Sequence, residues 1–258
     1  MKKTFSSKKS AFSLIELSIV LIIIGLLIAG ITGGASLIKS SELRSIMGEA
    51  RGYAVAVNSF FTQYDQYPGD TSTIVGSNSA LTGDRDNQIE FVNNASTLMA
   101  EGIDAWYDLK DIGAIDLALT LPTMTSPEPL VPVTNIPGSK IKGAGWVFDY
   151  NSTTLQNVVV LTGTTSTWVA NGSMVNGTSA AINDITKNLS TEIISAPDSL
   201  SIDSKIDDGK ANSGNIQAVN QSTTSGSECV DGTTPSLYKV SNGAKKVCAM
   251  SFRVDVSS

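Results

Sequence analysis

The feature that most constrains this chain is an uncharged, apolar segment near its N-terminus. The 22 residues from Leu17 to Ile38 contain no Asp, Glu, Lys or Arg. A helix needs about 20 apolar residues to cross the hydrocarbon core of a bilayer, so this segment is long enough to span a membrane. The first nine residues contain four lysines and no acid. Because basic flanks stay on the cytoplasmic side, we expect the rest of the chain to lie outside the cytoplasm.

A secretory signal peptide is the alternative interpretation of this segment, with Gly33-Gly34-Ala35 as its cleavage site. Two features argue against it. The apolar run is longer than the core of an ordinary signal peptide. It is also preceded by Glu16, and a carboxylate within a membrane segment opposes insertion by about 2.5–3.5 kcal/mol and is usually functional. A segment that is removed after export has no use for such an acid.

Around this acid the sequence is Ser10-Ala11-Phe12-Ser13-Leu14-Ile15-Glu16-Leu17. These eight residues resemble the leader junction of type IV prepilins and pseudopilins. In that family a short basic leader is cleaved before a Phe, the new amine is methylated, and Glu is the fifth mature residue. The resemblance implies cleavage between Ala11 and Phe12, and methylation of Phe12. The family usually has Gly where this chain has Ala11, and since Ala is also small we expect processing to occur, at a slower rate.

The resemblance also implies a role for Glu16 in assembly. The mature chain would begin with an ammonium group at Phe12. In lipid, the carboxylate of Glu16 can pair with the ammonium group of a neighbouring subunit. Each buried charge then neutralises the other, which only assembly permits.

The apolar pattern continues beyond the uncharged segment and predicts one long helix. Apolar residues recur at steps of three and four, which places them in one stripe. They are Leu43, Ile46, Met47, Ala50, Tyr53, Ala54, Val57, Phe60, Phe61 and Tyr64. With no proline from 12 to 67, we expect a continuous helix from Phe12 to about Tyr64. Pro68 and Gly69 then end it in a turn.

The remainder predicts a mixed head domain. Helical spacing favours a second helix from Ile89 to about Ile112, with Gly102 as a flaw, and five prolines between Pro122 and Pro137 predict an extended connection. Strands are predicted at residues 146–150 and 158–161 and, as a half-buried strand, at 248–254.

These elements predict an α+β fold of pilin-like architecture, in which a long helical spine packs against an antiparallel sheet. The expected organisation is a leader at 1–11, the N-terminal helix at 12–65 and the head at 66–258. The head is larger than a minimal pilin-type sheet requires, so we expect insertions around 71–85 and 170–228.

Two cysteines lie near the C-terminus and enclose an 18-residue loop, Cys229 and Cys248. Outside the cytoplasm such a pair usually forms a disulfide, and many pilins have a C-terminal region bounded by one, so the resemblance supports the bond. Two free thiols are the alternative.

A cluster of oxygen-bearing side chains precedes this region. Asp203, Asp207, Asp208 and Asn212 are the ligand types that hard cations prefer, and major pseudopilins of type II secretion bind calcium in a C-terminal loop. The spacing does not match an EF-hand. The alternative is a helix that ends in a solvated acidic loop. The sequence predicts no cofactor, and calcium at this cluster is the one candidate.

The composition disfavours other functions. The chain has no histidine, which removes Ser-His-Asp and Cys-His catalysis, and it lacks the phosphate-binding and hydrolase motifs. Beyond the first eleven residues there are 18 − 4 = 14 basic and 24 acidic residues, a net charge of −10. Nucleic-acid binding needs clustered Lys and Arg, so no nucleic-acid partner is indicated.

The predicted function is therefore structural: a subunit of a type IV pilus or type II secretion pseudopilus. The resemblance implies prepilin peptidase, the inner-membrane assembly machinery and other pilins as partners. It also implies storage as a single-pass inner-membrane protein before assembly into an extracellular pilus or a periplasmic pseudopilus. A membrane-anchored binding domain that never polymerises is the alternative, and an enzyme is a more distant one.

Overall fold

The structure, a computed structural model, divides into two compact units, Met1–Glu42 and Leu43–Ser258. It describes residues 13–71, 83–91, 101–116, 118, 129–164, 191–220, 228–231, 233–234 and 236–255. Helix α1 (Leu14–Tyr64) is continuous over 51 residues and contributes to both units. The predicted long helix is thus confirmed, with its end at Tyr64.

The C-terminal part of α1 provides one side of the core of the second unit. Its buried residues fall in the predicted stripe, with Ala56 beside it. They are Leu43, Ile46, Ala50, Ala56, Val57 and Phe60. Val55 is 68% exposed. This part of the helix is therefore amphipathic, as a helix packed on one side of a core must be.

An antiparallel sheet forms the centre of the second unit. Its strands are β1 (Gly145–Asn151), β2 (Gln156–Thr162), β3 (Ile194–Ser195), β4 (Ile216–Asn220) and β5 (Lys246–Arg253). β1 pairs with β2, and β5 pairs with β2, β3 and β4, all antiparallel. The fold is α+β with pilin-like architecture, as predicted.

Aromatic contacts join the helices to this sheet. Tyr53 of α1 meets Trp146 of β1 edge-on at 5.6 Å between ring centroids. In helix α2 (Glu101–Asp111), Trp106 lies 4.2 Å from the Phe148 ring. Trp146 Nε1 also donates to Glu49 Oε2 of α1 at 2.9 Å. Large buried rings on alternate positions of β1 thus anchor both helices.

Strand β5 is more buried than its alternating sequence predicts. A half-buried strand was expected, but Ala249 and Ser251 are buried like Met250 and Phe252. The alternation was misleading because Ala249 and Ser251 are small residues that pack closely in the interior, and because β5 has three partner strands.

The second helix differs from the prediction at its start. Ile89 and Phe91 are buried but not helical, and residues 92–100 lie outside the described part. The N–H of Ile89 donates to Asn157 Oδ1 at 2.7 Å and that of Phe91 to Asp149 Oδ1 at 3.0 Å. Side chains from the sheet therefore hold this segment in an irregular conformation that helical spacing alone does not reveal.

Gly102 is required for packing and is not a flaw in α2. A Cβ at this position would lie 2.3 Å from the carbonyl oxygen of Phe148, far inside the contact distance of two such atoms. Only glycine lets the first turn of α2 approach strand β1 this closely.

The proline-rich connection forms a turn in the part that the structure describes, which begins at residue 129. The prediction of an extended segment is wrong at residues 131–136, because Thr134 N and Asn135 N both donate to Val131 O at 3.0 Å. The Asn135 side chain stabilises the turn by accepting from Val131 N at 2.6 Å and donating to Pro129 O at 2.9 Å. Residues 122–128 lie outside the described part.

Regular structure also occurs where an insertion was expected. Helix α3 (Ala196–Ile206) follows β3, and β4 follows α3. Ser195 is the N-cap of α3, its side chain accepts from Asp198 N at 3.3 Å, and a proline lies in the first turn. These are standard helix-start signals.

The C-terminal region contains the predicted disulfide. Cys229 and Cys248 are bonded, with 4.9 Å between their Cα atoms, and both are buried. Because Cys248 is in β5, the bond ties the segment 228–231 to a central strand. A salt bridge of 2.6 Å between Lys239 and Glu228 closes the same region.

We predict that this bond is present in protein isolated from the cell envelope. Alkylation without reductant should label neither cysteine. Replacing both cysteines by serine should lower the free energy of unfolding of the full-length chain by about 3 kcal/mol, as loop closure by a bond of this span predicts, and should leave membrane insertion unchanged. Quantitative labelling of both thiols in the native protein would refute the bond.

Candidate functional site

The N-terminal part of α1 is a helix that is apolar all round. Its large side chains from Leu14 to Ile38 are exposed, Leu37 and Ile31 to 73% and 70%. By length and composition α1 is able to cross a membrane. A helix that is apolar on every face requires lipid or other apolar helices around it.

The hydroxyl groups of this segment are satisfied within the helix. Ser18 donates to Ile15 O at 2.9 Å, and Ser36 donates to Gly33 O at 2.9 Å. Thr32 Oγ1 lies 3.0 Å from Ile28 O. Each hydroxyl therefore has a backbone acceptor one turn back, as a helix in hydrocarbon requires.

Glu16 takes part in a capping box at the start of α1. Its Oε2 accepts from Ser13 N at 2.9 Å, and Ser13 Oγ accepts from Ile15 N at 3.4 Å. The sequence analysis missed this role, although Ser-x-x-Glu before an apolar run is its known signal. The carboxylate is thereby held at the positive end of the helix dipole.

The predicted cleavage residues, Ala11 and Phe12, lie outside the described part of the chain. The pairing of Glu16 with the amine of Phe12 stays a prediction. The capping box shows that the carboxylate is directed at the N-terminal end of α1, the end where that amine would be.

The predicted cation ligands near the C-terminus come together in part. Carboxylate oxygens of Asp203, Asp207 and Asp208 lie within 4.8 Å of one another, and we call these three residues the C-terminal acidic cluster. Asn212 is exposed in the loop that follows.

Backbone and hydroxyl donors serve most oxygens of the C-terminal acidic cluster. Asp203 accepts from Gly209 N at 3.0 Å and from Tyr238 OH at 2.7 Å. Asp208 accepts from Lys210 N at 2.8 Å and from Ser213 Oγ at 2.6 Å.

The surroundings shift the pKa values of two of these acids in opposite directions. Burial raises the pKa of Asp203, whereas the hydrogen bond from Ser213 lowers the pKa of Asp208. The cluster thus shapes the loop after α3, and calcium binding there stays a prediction.

A second group of acids, which the sequence analysis missed, lies beside the end of α1. Oxygens of Asp70, Asp84 and Glu101 are within 4.8 Å of one another, and we call these residues the α2 acidic cluster. Asp70 is 1% and Glu101 2% exposed. No local sequence motif predicts this cluster, because its acids come from three separate segments of the chain. The closely spaced acids at 84 and 86 were a signal that the loop is acidic.

Backbone amides surround the α2 acidic cluster. Asp70 accepts from Arg85 N at 2.5 Å and from Asn87 N at 2.7 Å. Glu101 accepts from Asp84 N and Glu90 N, each at 3.2 Å.

Burial dominates the electrostatics of this region. It raises the pKa of Asp70 to about 6. Burial, and then the neighbouring carboxyl of Glu90, raise the pKa of Glu101 to about 10. Burial also raises the pKa of Asp104 to about 8 and that of Asp108 to about 6.

Comparison with known proteins gives one result, which concerns the N-terminus. Residues 6–32 match the prokaryotic N-terminal methylation motif. No curated protein and no solved structure matches the chain. The chain therefore carries the leader motif of type IV pilins and pseudopilins, followed by the long apolar helix and antiparallel sheet of a pilin-like α+β fold.

Proposed function

We propose that this protein is a structural subunit of a type IV pilus or a type II secretion pseudopilus. The observation that carries the proposal is the methylation motif at residues 6–32, continuous with a helix whose apolar side chains are exposed on every face. Lipid covers such a helix in a stored monomer, and the helices of other subunits cover it in a filament. The same surface thus serves both states.

The proposal includes a sequence of partners and locations. Prepilin peptidase removes residues 1–11, and the inner-membrane assembly machinery moves the mature subunit into the filament with other pilins. The head stays outside the cytoplasm before and after assembly. The Cys229–Cys248 disulfide fits that location, since such bonds persist in oxidising compartments.

A membrane-anchored binding domain that does not polymerise is the alternative function. It shares the apolar helix and the folded head, but it has no need of a free, methylated N-terminus or of an acid at position 16. Processing and the role of Glu16 therefore distinguish the two functions.

We predict that the mature protein begins with N-methyl-Phe12. The Ala11–Phe12 junction lies within the matched motif. Mass spectrometry of the N-terminal peptide from membrane fractions measures both the cleavage and the added methyl group. An uncut chain, or a chain that starts at Ser36, would contradict the prepilin interpretation.

Glu16→Ala should insert in the membrane normally and fail to assemble. In a filament the ammonium of Phe12 would be surrounded by apolar helices, and breaking a buried ion pair typically costs about 3–5 kcal/mol. Membrane-bound protein is measured by fractionation, and assembly by the yield of sheared filaments or, for a pseudopilus, of cross-linked periplasmic oligomers.

Two further variants separate the charge of Glu16 from its capping role. Glu16→Gln keeps the capping box, in which Gln also serves, but removes the charge, so it should fail nearly as completely. Ser13→Ala removes the side-chain acceptor for Ile15 N and keeps the carboxylate, so it should assemble. Normal assembly of Glu16→Gln would show that the charge is dispensable and would refute its pairing with the amine of Phe12, whereas failure of the wild-type protein to assemble would favour the anchored alternative.

A further inference from the structure

We propose that one end of the head binds the anionic phospholipid headgroups of the membrane that anchors the chain. The contact is made by four lysines, Lys140, Lys142, Lys245 and Lys246, which we call the sheet-end lysines. The proposal rests on the proposed storage of the subunit in the inner membrane. It gives the stored subunit a second attachment, made by the head, besides the one made by the apolar helix.

The register of the sheet places the starts of β1 and β5 at the same end. Gly145 at the start of β1 is opposite Thr162 at the end of β2, and Leu161 of β2 is opposite Met250 of β5. Because β2 is antiparallel to both strands, the segments that lead into β1 and β5 lie at the same end of the sheet. Two sheet-end lysines are in the first of these segments, and two are in the second.

The two pairs of lysines are close enough to act as one charged patch. β1 and β5 are both neighbours of β2, and neighbouring strands are about 4.8 Å apart, so β1 and β5 are about 10 Å apart. The turn before β1 stays beside the end of β2, because a Cβ on Gly163 would lie 3.8 Å from Gly143 O. The Debye length in physiological salt is about 8 Å, so the potentials of the two pairs overlap.

Buried neighbours fix the backbone of the sheet-end lysines while the lysine side chains stay in solvent. Ile141 is 7% exposed, whereas Lys140 and Lys142 on either side of it are exposed. Lys140 N donates to Glu49 Oε1 at 3.0 Å, which ties this turn to α1. The second pair is also exposed and is followed directly by the buried residue Val247.

The patch carries positive charge in a head that is otherwise acidic. Lys140, Lys142 and Lys246 form no salt bridge within the described residues. The segments 129–148 and 232–254 contain no Asp or Glu, although the chain beyond the first eleven residues has a net charge of −10. The basic residues are thus separated from the acids that dominate the rest of the head.

Two acids adjoin the sheet-end lysines, and both accept hydrogen bonds from other groups. Glu49 accepts from Lys140 N and Trp146 Nε1 at 3.0 and 2.9 Å. Asp198 accepts from Ser195 Oγ at 2.6 Å, and Ser195 is opposite the first residue of β5. These two acids offset only half of the four positive charges.

Glu49 also shows how far this end of the sheet is from the membrane along α1. Glu49 is 11 residues after Ile38, the last residue of the uncharged segment, which is about 17 Å of helix. The headgroup layer on each side of the hydrocarbon core is about 5–8 Å thick. When the core ends at Ile38, the turn bonded to Glu49 is about 10 Å from the headgroups, and any tilt of the helix shortens this distance. That separation is close to a Debye length.

The chemistry and the tether favour lipid as the partner. Clusters of Lys and Arg next to a membrane helix bind anionic headgroups, and flexible ammonium groups suit a fluid layer of phosphates. The helix keeps the headgroups within reach at all times, so that even a weak attraction acts at a high effective concentration. A neighbouring acidic head is the competing partner, but it comes within reach only when subunits meet.

Lysine footprinting of the full-length protein in nanodiscs tests the proposal. The protein is placed in discs of phosphatidylcholine alone or with phosphatidylglycerol, and a neutral acylating reagent is added. With phosphatidylglycerol the sheet-end lysines should react about threefold more slowly, because an anionic surface potential of about −30 mV changes the fraction of neutral amine by about that factor. Mass spectrometry measures the rate at each lysine. Lys110, an exposed lysine of α2, should react equally in both discs, and high salt should abolish the difference.

A pair of double variants separates the patch from net charge. Lys245→Gln with Lys246→Gln should reduce the slowing that phosphatidylglycerol causes at Lys140 and Lys142. The matched control replaces two exposed lysines at and after the end of α3, Lys205 and Lys210, with glutamine and should leave that slowing unchanged.

Four results would overturn the proposal. One is equal rates in the two discs, and another is equal slowing at Lys110. A third is slowing that needs two copies per disc and not anionic lipid, which would identify a neighbouring head as the partner. Each of these leaves the proposed filament function standing. A chain that does not enter the discs would instead contradict the proposed membrane storage, and this proposal with it.

Discussion

The structure depends on one constraint, which is that the apolar surface of the first half of α1 cannot remain in water. Its side chains are exposed around the whole helix from Leu14 to Ile38, and each exposed apolar side chain gains about 1.5–3 kcal/mol from full burial. No element of the first unit covers them among the described residues. Lipid in the proposed stored state and neighbouring helices in the proposed filament would both satisfy this requirement, so moving from one to the other would change little of the apolar burial.

Because apolar burial is similar in the two states, polar groups must determine which of the two is more stable. Within the apolar segment the hydroxyl groups donate hydrogen bonds to the helix backbone. These hydrogen bonds are the same whether lipid or other helices surround the segment. Glu16 differs, because it carries a carboxylate at the N-terminal end of the helix, where it accepts from Ser13 N. In the proposed filament it pairs with the N-terminal amine of another subunit, and this contact favours assembly over storage.

Sequence periodicity predicted the elements whose burial is one-sided or whose residues are strongly apolar. The stripe from Leu43 to Phe60, the strands around Trp146 and Val159, and the Cys229–Cys248 bond follow from spacing, composition and family resemblance. Ile89 and Phe91 did not follow, because side chains of distant strands bind their amides. The α2 acidic cluster was not predicted either, because its acids are up to 31 residues apart, from Asp70 to Glu101, and only the tertiary fold brings them together. At the N-terminus of α1, the sequence pattern identified Glu16 but did not predict that its carboxylate accepts a hydrogen bond from Ser13 N.

Cross-linking through the apolar part of α1 tests the central claim most directly. The two native cysteines are bonded to each other, so a single cysteine introduced by Ile23→Cys is the one free thiol. Treatment of whole cells with a short bifunctional thiol reagent should give covalent dimers of the mature chain, and combining Ile23→Cys with Glu16→Gln should abolish them. A chain that stays monomeric, although its thiol reacts with a lipid-soluble monofunctional reagent, would show that the helix only anchors the head. That result would contradict the account.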